Sequence, residues 1–364
     1  MKAAQYIPQL IASLSPRPAM EIRLTSKHTV FTTGQTIEGE LTLPRRNTTQ
    51  YARISVALIG RTTTSIMNSL PFPNSGSTMD DTFLQMHHTE TLKASHDQRI
   101  FPFSFVIPDA LPFDSCYEKI PSGNDHLQLP PSVDYSSDRC CPEMCSVVYY
   151  IHAEVVVGNE RLHATRQVQL LPLYHEQPPR FGADGEDNET HMSDSTALRL
   201  SLLSAKMGRV TVRAREAKPL YLPPDQPHHG STIAPIRLDL ALSRLHPDAG
   251  FPADCQVKVT LEAVTYFTAL PMVKLPTSQG QLFSASVCSW KNKSIGLTWR
   301  GNKDDSYSSS IVVPIPVPSD TSVIPTFHHC YVAREYFAKV ELTVGYSRAL
   351  RIKVPVQIYN SLPN

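Results

Sequence analysis

By residue type, the side chains best suited to hold a metal ion are three pairs of adjacent histidines: His87-His88, His228-His229 and His328-His329, the last followed by Cys330. Zinc takes imidazole nitrogen and thiolate sulfur as ligands. Adjacent residues of an extended strand point to opposite faces, so such a pair does not converge on one ion. These histidines are read as solvated or capping residues, and the third pair as a strand entry. Asp80-Asp81 and Asp304-Asp305 are paired carboxylates. Glycosidase-type acid–base work needs two carboxylates facing each other across a cleft, which neighbours in a turn do not provide. Seven cysteines at 116, 140, 141, 145, 255, 288 and 330 form no CxxC pair. The cluster at 140, 141 and 145 could bind metal or oxidise, but is read as reduced thiols of a cytosolic protein. The serine-hydrolase elbow, dinucleotide fingerprint, P-loop and HExxH are all absent. No catalytic, cofactor-binding or metal-ligating residue is therefore assigned, no cofactor is expected, and the chain reads as a non-enzyme.

Basic residues point to binding instead. Arg209, Arg213 and Arg215 alternate along an extended segment and so share one face. That face either meets anionic lipid head groups or an acidic partner, or is an ordinary solvated face. Overall charge is balanced, with 34 Lys+Arg against 33 Asp+Glu. A net charge of +1 gives no global pull toward nucleic acid. The aromatic-plus-basic platform of a nucleic-acid binder is missing as well.

The elements that position these residues are strands. Ala52, Ile54, Val56 and Leu58 alternate with Arg53, Ser55 and Ala57. The same period of two runs through Ile236 to Leu242, Val257 to Leu261, Val340 to Val344 and Ile352 to Ile358. Each segment has one dry and one wet face, the pattern of antiparallel sheets packed on one side. Val147 to Val157 is apolar on both faces and reads as a central strand. The best helical candidate, Thr196 to Lys206, reads equally well as a strand. The 31 prolines exceed the usual share of about 5% and favour short strands joined by loops.

The strand-like segments fall into two groups, so the fold class is all-β, two antiparallel immunoglobulin-like sandwiches in tandem. Residues 1–19 read as a disordered extension without a signal-peptide core. The first sandwich spans 20–173, with an irregular insertion around 108–145. Residues 174–196 are polar and acidic and read as a linker. The second sandwich spans 197–360.

Several blocks resemble the arrestin-like superfamily, in its fungal and α-arrestin branch. VFTTGQTIEGELTL followed by RISVALIGRT is similar to the family's opening hairpin, with Gly34 and Gly39 supplying the turn and a close backbone approach and Gly60 ending the third strand. IFPFSFVIPDALPFDS, Ile100 to Ser115, resembles the family's FPFSF-type block. VVYYIHAEVVV echoes a further family strand, and residues 323–359 look like its closing block. The resemblance covers about Met20 to Tyr359. It implies a cytoplasmic adaptor, recruited to the plasma membrane or endosomes, that binds cytosolic tails of membrane proteins and links them to endocytosis and ubiquitylation. A HECT-type ubiquitin ligase and an anionic membrane surface are the further partners implied. A structural, retromer-like trafficking component with the same fold is the alternative. Family members receive phosphate groups on basic residues of the first strand, which here carries Arg23 and Lys27; the alternative is an ordinary polar strand face. The PPxY motif that binds WW domains is absent; Leu171, Pro172 and Tyr174 form an LPxY variant that serves as a WW ligand or as the end of the last strand of the first sandwich.

Overall fold

The computed structural model describes residues 20–26, 28–43, 51–67, 76–88, 100–112, 128–157, 159–174, 192–199, 206–222, 232–244, 250–272, 281–302, 306–317 and 323–360. Within these the chain is all β, without a helix.

In the first half, β1 (Glu21–Leu24), β3 (Thr36–Thr42) and β6 (Ile100–Val106) form one antiparallel sheet in the order β1-β3-β6. The opposing sheet has the order β2-β8-β7-β4-β5, from β2 (Val30–Phe31), β8 (Glu160–Leu170), β7 (Cys145–Val157), β4 (Tyr51–Met67) and β5 (Gly76–His87). Alternate residues of both sheets meet in one core. Ile22, Ile37, Leu41, Phe101, Phe103 and Phe105 from the three-stranded sheet pack against Val56, Leu58, Phe83, Tyr149, Ile151 and Val155. The period-two pattern is the cause: the burial of β3 alternates strictly, with Ile37, Gly39 and Leu41 facing inward.

The second half repeats the plan. β9 (Ser193–Leu198), β10 (Gly208–Ala214), β12 (Thr232–Arg244), β16 (Ser306–Val317) and β15 (Arg300–Gly301) make one sheet. It faces β14 (Gln281–Gly296), β13 (Asp254–Phe267), β18 (Val332–Val344), β17 (Phe327–His328) and β19 (Leu350–Val356), which pairs with β18. Val210, Val212, Leu238 and Leu240 pack there against Val257, Val259, Val340 and Val354. Two short pairings are parallel: β2 with the end of β8, and β11 (Leu220–Leu222) with β20 (Ile358–Asn360). These are tandem β-sandwiches of the arrestin-like kind.

Several expectations change in detail. β7 lies between β4 and β8 as a central strand, yet its buried residues, Cys145, Val147, Tyr149, Ile151, Ala153 and Val155, all share one face; the other is half-exposed. Gly60 does not end a strand, since β4 continues to Met67 with a register shift between Gly60 and Arg61. Its place is fixed by packing: a β-carbon there would lie 2.6 Å from the Phe83 ring and 2.9 Å from that of Tyr149. Part of the 196–206 segment is strand, because β9 runs to Leu198; residues 200–205 lie outside the described residues. The expected extension 1–19 and residues 175–191 of the linker also lie outside them. Two ends of the expected linker belong to the sandwiches instead: Tyr174 is buried and β9 starts at Ser193.

Gly34 has φ of 77°, the left-handed turn that glycine allows. Gly39 is needed for a different reason. A β-carbon there would collide with the Phe103 ring and lie 2.6 Å from the carbonyl oxygen of Arg23 on β1. Gly39→Ala is expected to lower stability by about 1–3 kcal/mol through overpacking, read as a shift in the urea midpoint; an unchanged midpoint would refute this close approach of β1, β3 and β6.

Candidate functional site

The stretch expected as an irregular insertion is, over 128–144, a built part of the molecule. Leu129, Val133, Asp138, Cys140 and Cys141 are all buried. A turn opens it: the Asp134 carboxylate accepts hydrogen bonds from the backbone N–H of Ser136 (2.8 Å) and Ser137 (3.0 Å). Burial raises the Asp134 pKa, but the Ser136 and Ser137 hydrogen bonds outweigh it, and the net displacement is downward. The turn delivers Asp138 to the place where the two sandwiches meet.

Arg334 of β18 reaches that place from the second half. It is 1% exposed. Its Nη2 donates to Asp138 Oδ2 at 2.8 Å and to the Cys140 carbonyl at 3.1 Å, and its Nε donates to Thr265 Oγ1 at 2.9 Å. The Thr265 hydroxyl in turn donates to the Cys140 carbonyl at 2.7 Å. Burial alone would lower the Arg334 pKa; Tyr336 and Asp138 outweigh it and hold the guanidinium charged. Further bonds cross the same seam. Thr64 Oγ1 donates to the Thr268 carbonyl at 2.7 Å, Arg139 donates to the Val287 carbonyl at 2.6 Å, and the Tyr174 N–H donates to the Asn360 carbonyl at 3.0 Å. Beside the ion pair opens a crevice of about 680 Å³, lined by Tyr135, Ser136, Arg139, Val287, Val323 and Tyr336 among others.

One sequence expectation is corrected at this seam, and of the two readings of the LPxY variant the burial favours the strand end. His328 and His329 are buried, not solvated, and His329 packs edge-on against Phe83 of the first sandwich at 4.9 Å between ring centroids. Tyr174 of the LPxY variant is buried too, its hydroxyl donating to the Leu129 carbonyl at 3.0 Å, while the Leu171 N–H donates to Phe31. A WW groove needs that ring exposed, so Leu171, Pro172 and Tyr174 act here as the packed exit from β8.

The arginines of the second half lie elsewhere. Arg209 and Arg213 stand on the exposed face of β10, with Arg215 just beyond its end. Arg209 bonds Ser195 at 3.2 Å, and Arg215 pairs with Asp239 at 2.7 Å, as Arg237 does at 3.2 Å. Burial raises the Asp239 pKa; hydrogen bonds from Arg215, Ser310 and Arg237 outweigh it and hold the carboxyl below its ordinary value. Arg213, Arg215, Glu216 and Asp239 line a shallow cavity of about 450 Å³. In the first half, Arg23 is exposed on the edge strand β1 and paired with Glu21 at 2.8 Å; Lys27 lies outside the described residues. The structure thus does not bring Arg23 and the β10 arginines together: they occupy sheets of different sandwiches. Of the paired residues, Asp80 is held by Arg61, His87 contacts Gln85 at 3.2 Å, and His228, His229, Asp304 and Asp305 lie outside the described residues.

Sequence reasoning missed Asp138 and Arg334. A signal for the second was present: in VAREYFAKV the inward register of β18 is Val332, Arg334, Tyr336, Ala338 and Val340, so a charge sits where an apolar side chain is expected. Nothing in the sequence marked its partner.

Removing one member of a buried pair leaves an uncompensated charge. Asp138→Ala is expected to cost about 3–5 kcal/mol in chemical denaturation, and the double variant Asp138→Leu/Arg334→Met much less than either single change. Equal losses for the single and double variants would sink this account. Glu335, on the opposite face of β18, gives a pH effect. Burial pushes its carboxyl up to about 7 from 4.5, against a hydrogen bond from Tyr266 and the charge of Lys353. The folded state therefore holds this proton more tightly, and the stability it contributes is full below pH 4.5 and lost as pH rises toward 7. Glu335→Gln is expected to be more stable than the parent chain at pH 8 but not at pH 4.5, as read from thermal midpoints.

Residues 269–361 match the family model described as Bul1 C terminus, a family of arrestin-related trafficking adaptors. The match begins just after β13 and runs through β20, taking in Arg334 but not Asp138. No curated protein matches the chain. The matched family is of the adaptor type. Tandem antiparallel sandwiches of arrestin-like fold, with a C-terminal quarter similar to the Bul1 C terminus, give this chain a likeness to the arrestin-related trafficking adaptors.

Proposed function

We propose that the chain is a cytoplasmic adaptor that holds the cytosolic tails of membrane proteins and brings them to the endocytic and ubiquitylation machinery. The observation that carries this reading is the match of residues 269–361 to the Bul1 C terminus, which falls on a complete run of strands in the second sandwich. Sheet edges give the tail a place to bind. β14 ends its sheet among the described residues, and an extended peptide can add to such an edge through main-chain hydrogen bonds. The arginine face of β10 serves as the contact with an anionic membrane surface, leaving β14, on the opposing sheet, for the tail. A HECT-type ligase is reached through a surface other than the LPxY segment, whose tyrosine is buried.

Cross-linking in cells followed by affinity capture and mass spectrometry tests the reading. Membrane proteins with cytosolic tails and a ubiquitin ligase are expected to enrich over a control; enrichment of neither overturns it. Each basic residue near an anionic leaflet adds about 1 kcal/mol. The variant with Arg209, Arg213 and Arg215 all changed to Gln is therefore expected to bind phosphatidylserine vesicles at least ~10-fold more weakly at low salt, with its thermal midpoint unchanged. Equal binding would remove the membrane role of this face.

A further inference from the structure

The outer face of the first sandwich gathers three side chains that the sequence reading did not single out. His152 and Glu154 are alternate residues of β7 and so project from the same, half-exposed face. In the antiparallel register Glu154 stands directly opposite His163 of β8, while His152 stands opposite Thr165. His163 is thus the cross-strand neighbour of Glu154 and the diagonal neighbour of His152. The two imidazoles stack, with centroids 5.6 Å apart and ring planes 24° apart. One ligand atom from each residue, two ring nitrogens and a carboxylate oxygen, all lie within 4.8 Å of one another.

We propose that His152, Glu154 and His163 bind a divalent transition-metal ion of the zinc class. Two imidazoles and one carboxylate are a donor set that zinc takes with bonds of about 2.0–2.2 Å, leaving a further position for water. Ligand atoms in such a set lie about 3.3–3.5 Å apart, so the three groups close in by little more than an ångström through side-chain rotation. β7 lies between β4 and β8, and the continuous β7–β8 ladder spans His152, Glu154 and His163, so the ligand Cα positions are set before the ion arrives. Imidazole nitrogen disfavours calcium and magnesium, which prefer all-oxygen shells. The nearby cation is weakly placed: Arg161 lies 3.7 Å from Glu154 and is 70% exposed, a contact that an ion displaces at small cost. The site differs from a pair of adjacent histidines, which an extended strand sends to opposite faces. The alternation H-x-E, with a histidine nine residues on, puts all three ligands on one face of a hairpin.

Isothermal titration of zinc chloride into the metal-stripped full chain tests the site. One equivalent is expected to bind and to raise the thermal midpoint, since an ion bound to the folded state stabilises it. His163→Ala, at an exposed position, is expected to keep the fold and to lose that equivalent, with affinity falling by at least ~10-fold. His87→Ala, roughly 10 Å away across β4, is expected to bind as the parent chain does, and calcium is expected to give no heat. No zinc bound, or zinc bound equally by the parent chain and His163→Ala, overturns the proposal. The result is independent of the adaptor reading, which rests on other residues.

Discussion

A guanidinium removed from water must be met by a full negative charge and by acceptors for its remaining N–H groups. At Arg334 those needs are met from two directions: the carboxylate of Asp138 and the carbonyl of Cys140 come from the first half of the chain, the hydroxyl of Thr265 from the second. Neither half can bury this arginine alone. The pair therefore fixes the relation of the two sandwiches and also gives the 128–144 segment its conformation, since the Asp134 turn is what aims Asp138 inward. A buried pair is a poor source of net stability compared with apolar packing, but a demanding one in geometry. Here it sits among apolar contacts that themselves cross the seam: Phe267, Phe327 and Tyr331 belong to the core of the first sandwich, and Cys140 to that of the second.

The strands were legible because their inward residues are mostly apolar. Ile236, Leu238, Leu240 and Leu242 are all buried, as are Val257, Val259 and Leu261. Gly34 and Gly39 were legible because turn and close approach leave glycine no substitute. The role of Gly60 was misread, since a glycine required by two aromatic rings looks, in one dimension, like a strand end. The seam was the hardest part to read. Asp138 and Arg334 are 196 residues apart, and no local pattern links them. The irregular composition of 108–145 pointed to a loop, and over 128–144 a loop it is in shape; that this part is buried follows only from what lies against it. The histidines show the same limit from the other side. His328-His329 read as a solvated or capping pair, or as a strand entry; neither reading foretells burial, which comes from their position between two sandwiches.

The faces left in water divide by chemistry. The outer surface of β7 and β8 carries imidazole and carboxylate, whereas that of β10 and β12 carries arginines gathered around Asp239. Both arise from the same period of two that builds the cores: each inward valine or leucine places its neighbour outside, so a strand that is legible as core also prescribes a row of surface groups at fixed spacing. A β-sandwich of this kind can therefore vary its outer rows without disturbing its inner ones.

The chain between Tyr174 and Met192 has both its ends anchored. Tyr174 is locked to Asn360 and Leu129, and the Met192 carbonyl accepts the N–H of Ala214. The halves are thus joined through their shared surface more than through their covalent connection. A single cut between those two residues would leave a pair of fragments that stay together as a non-covalent heterodimer, with Arg334 still clasping an aspartate on what had become another polypeptide.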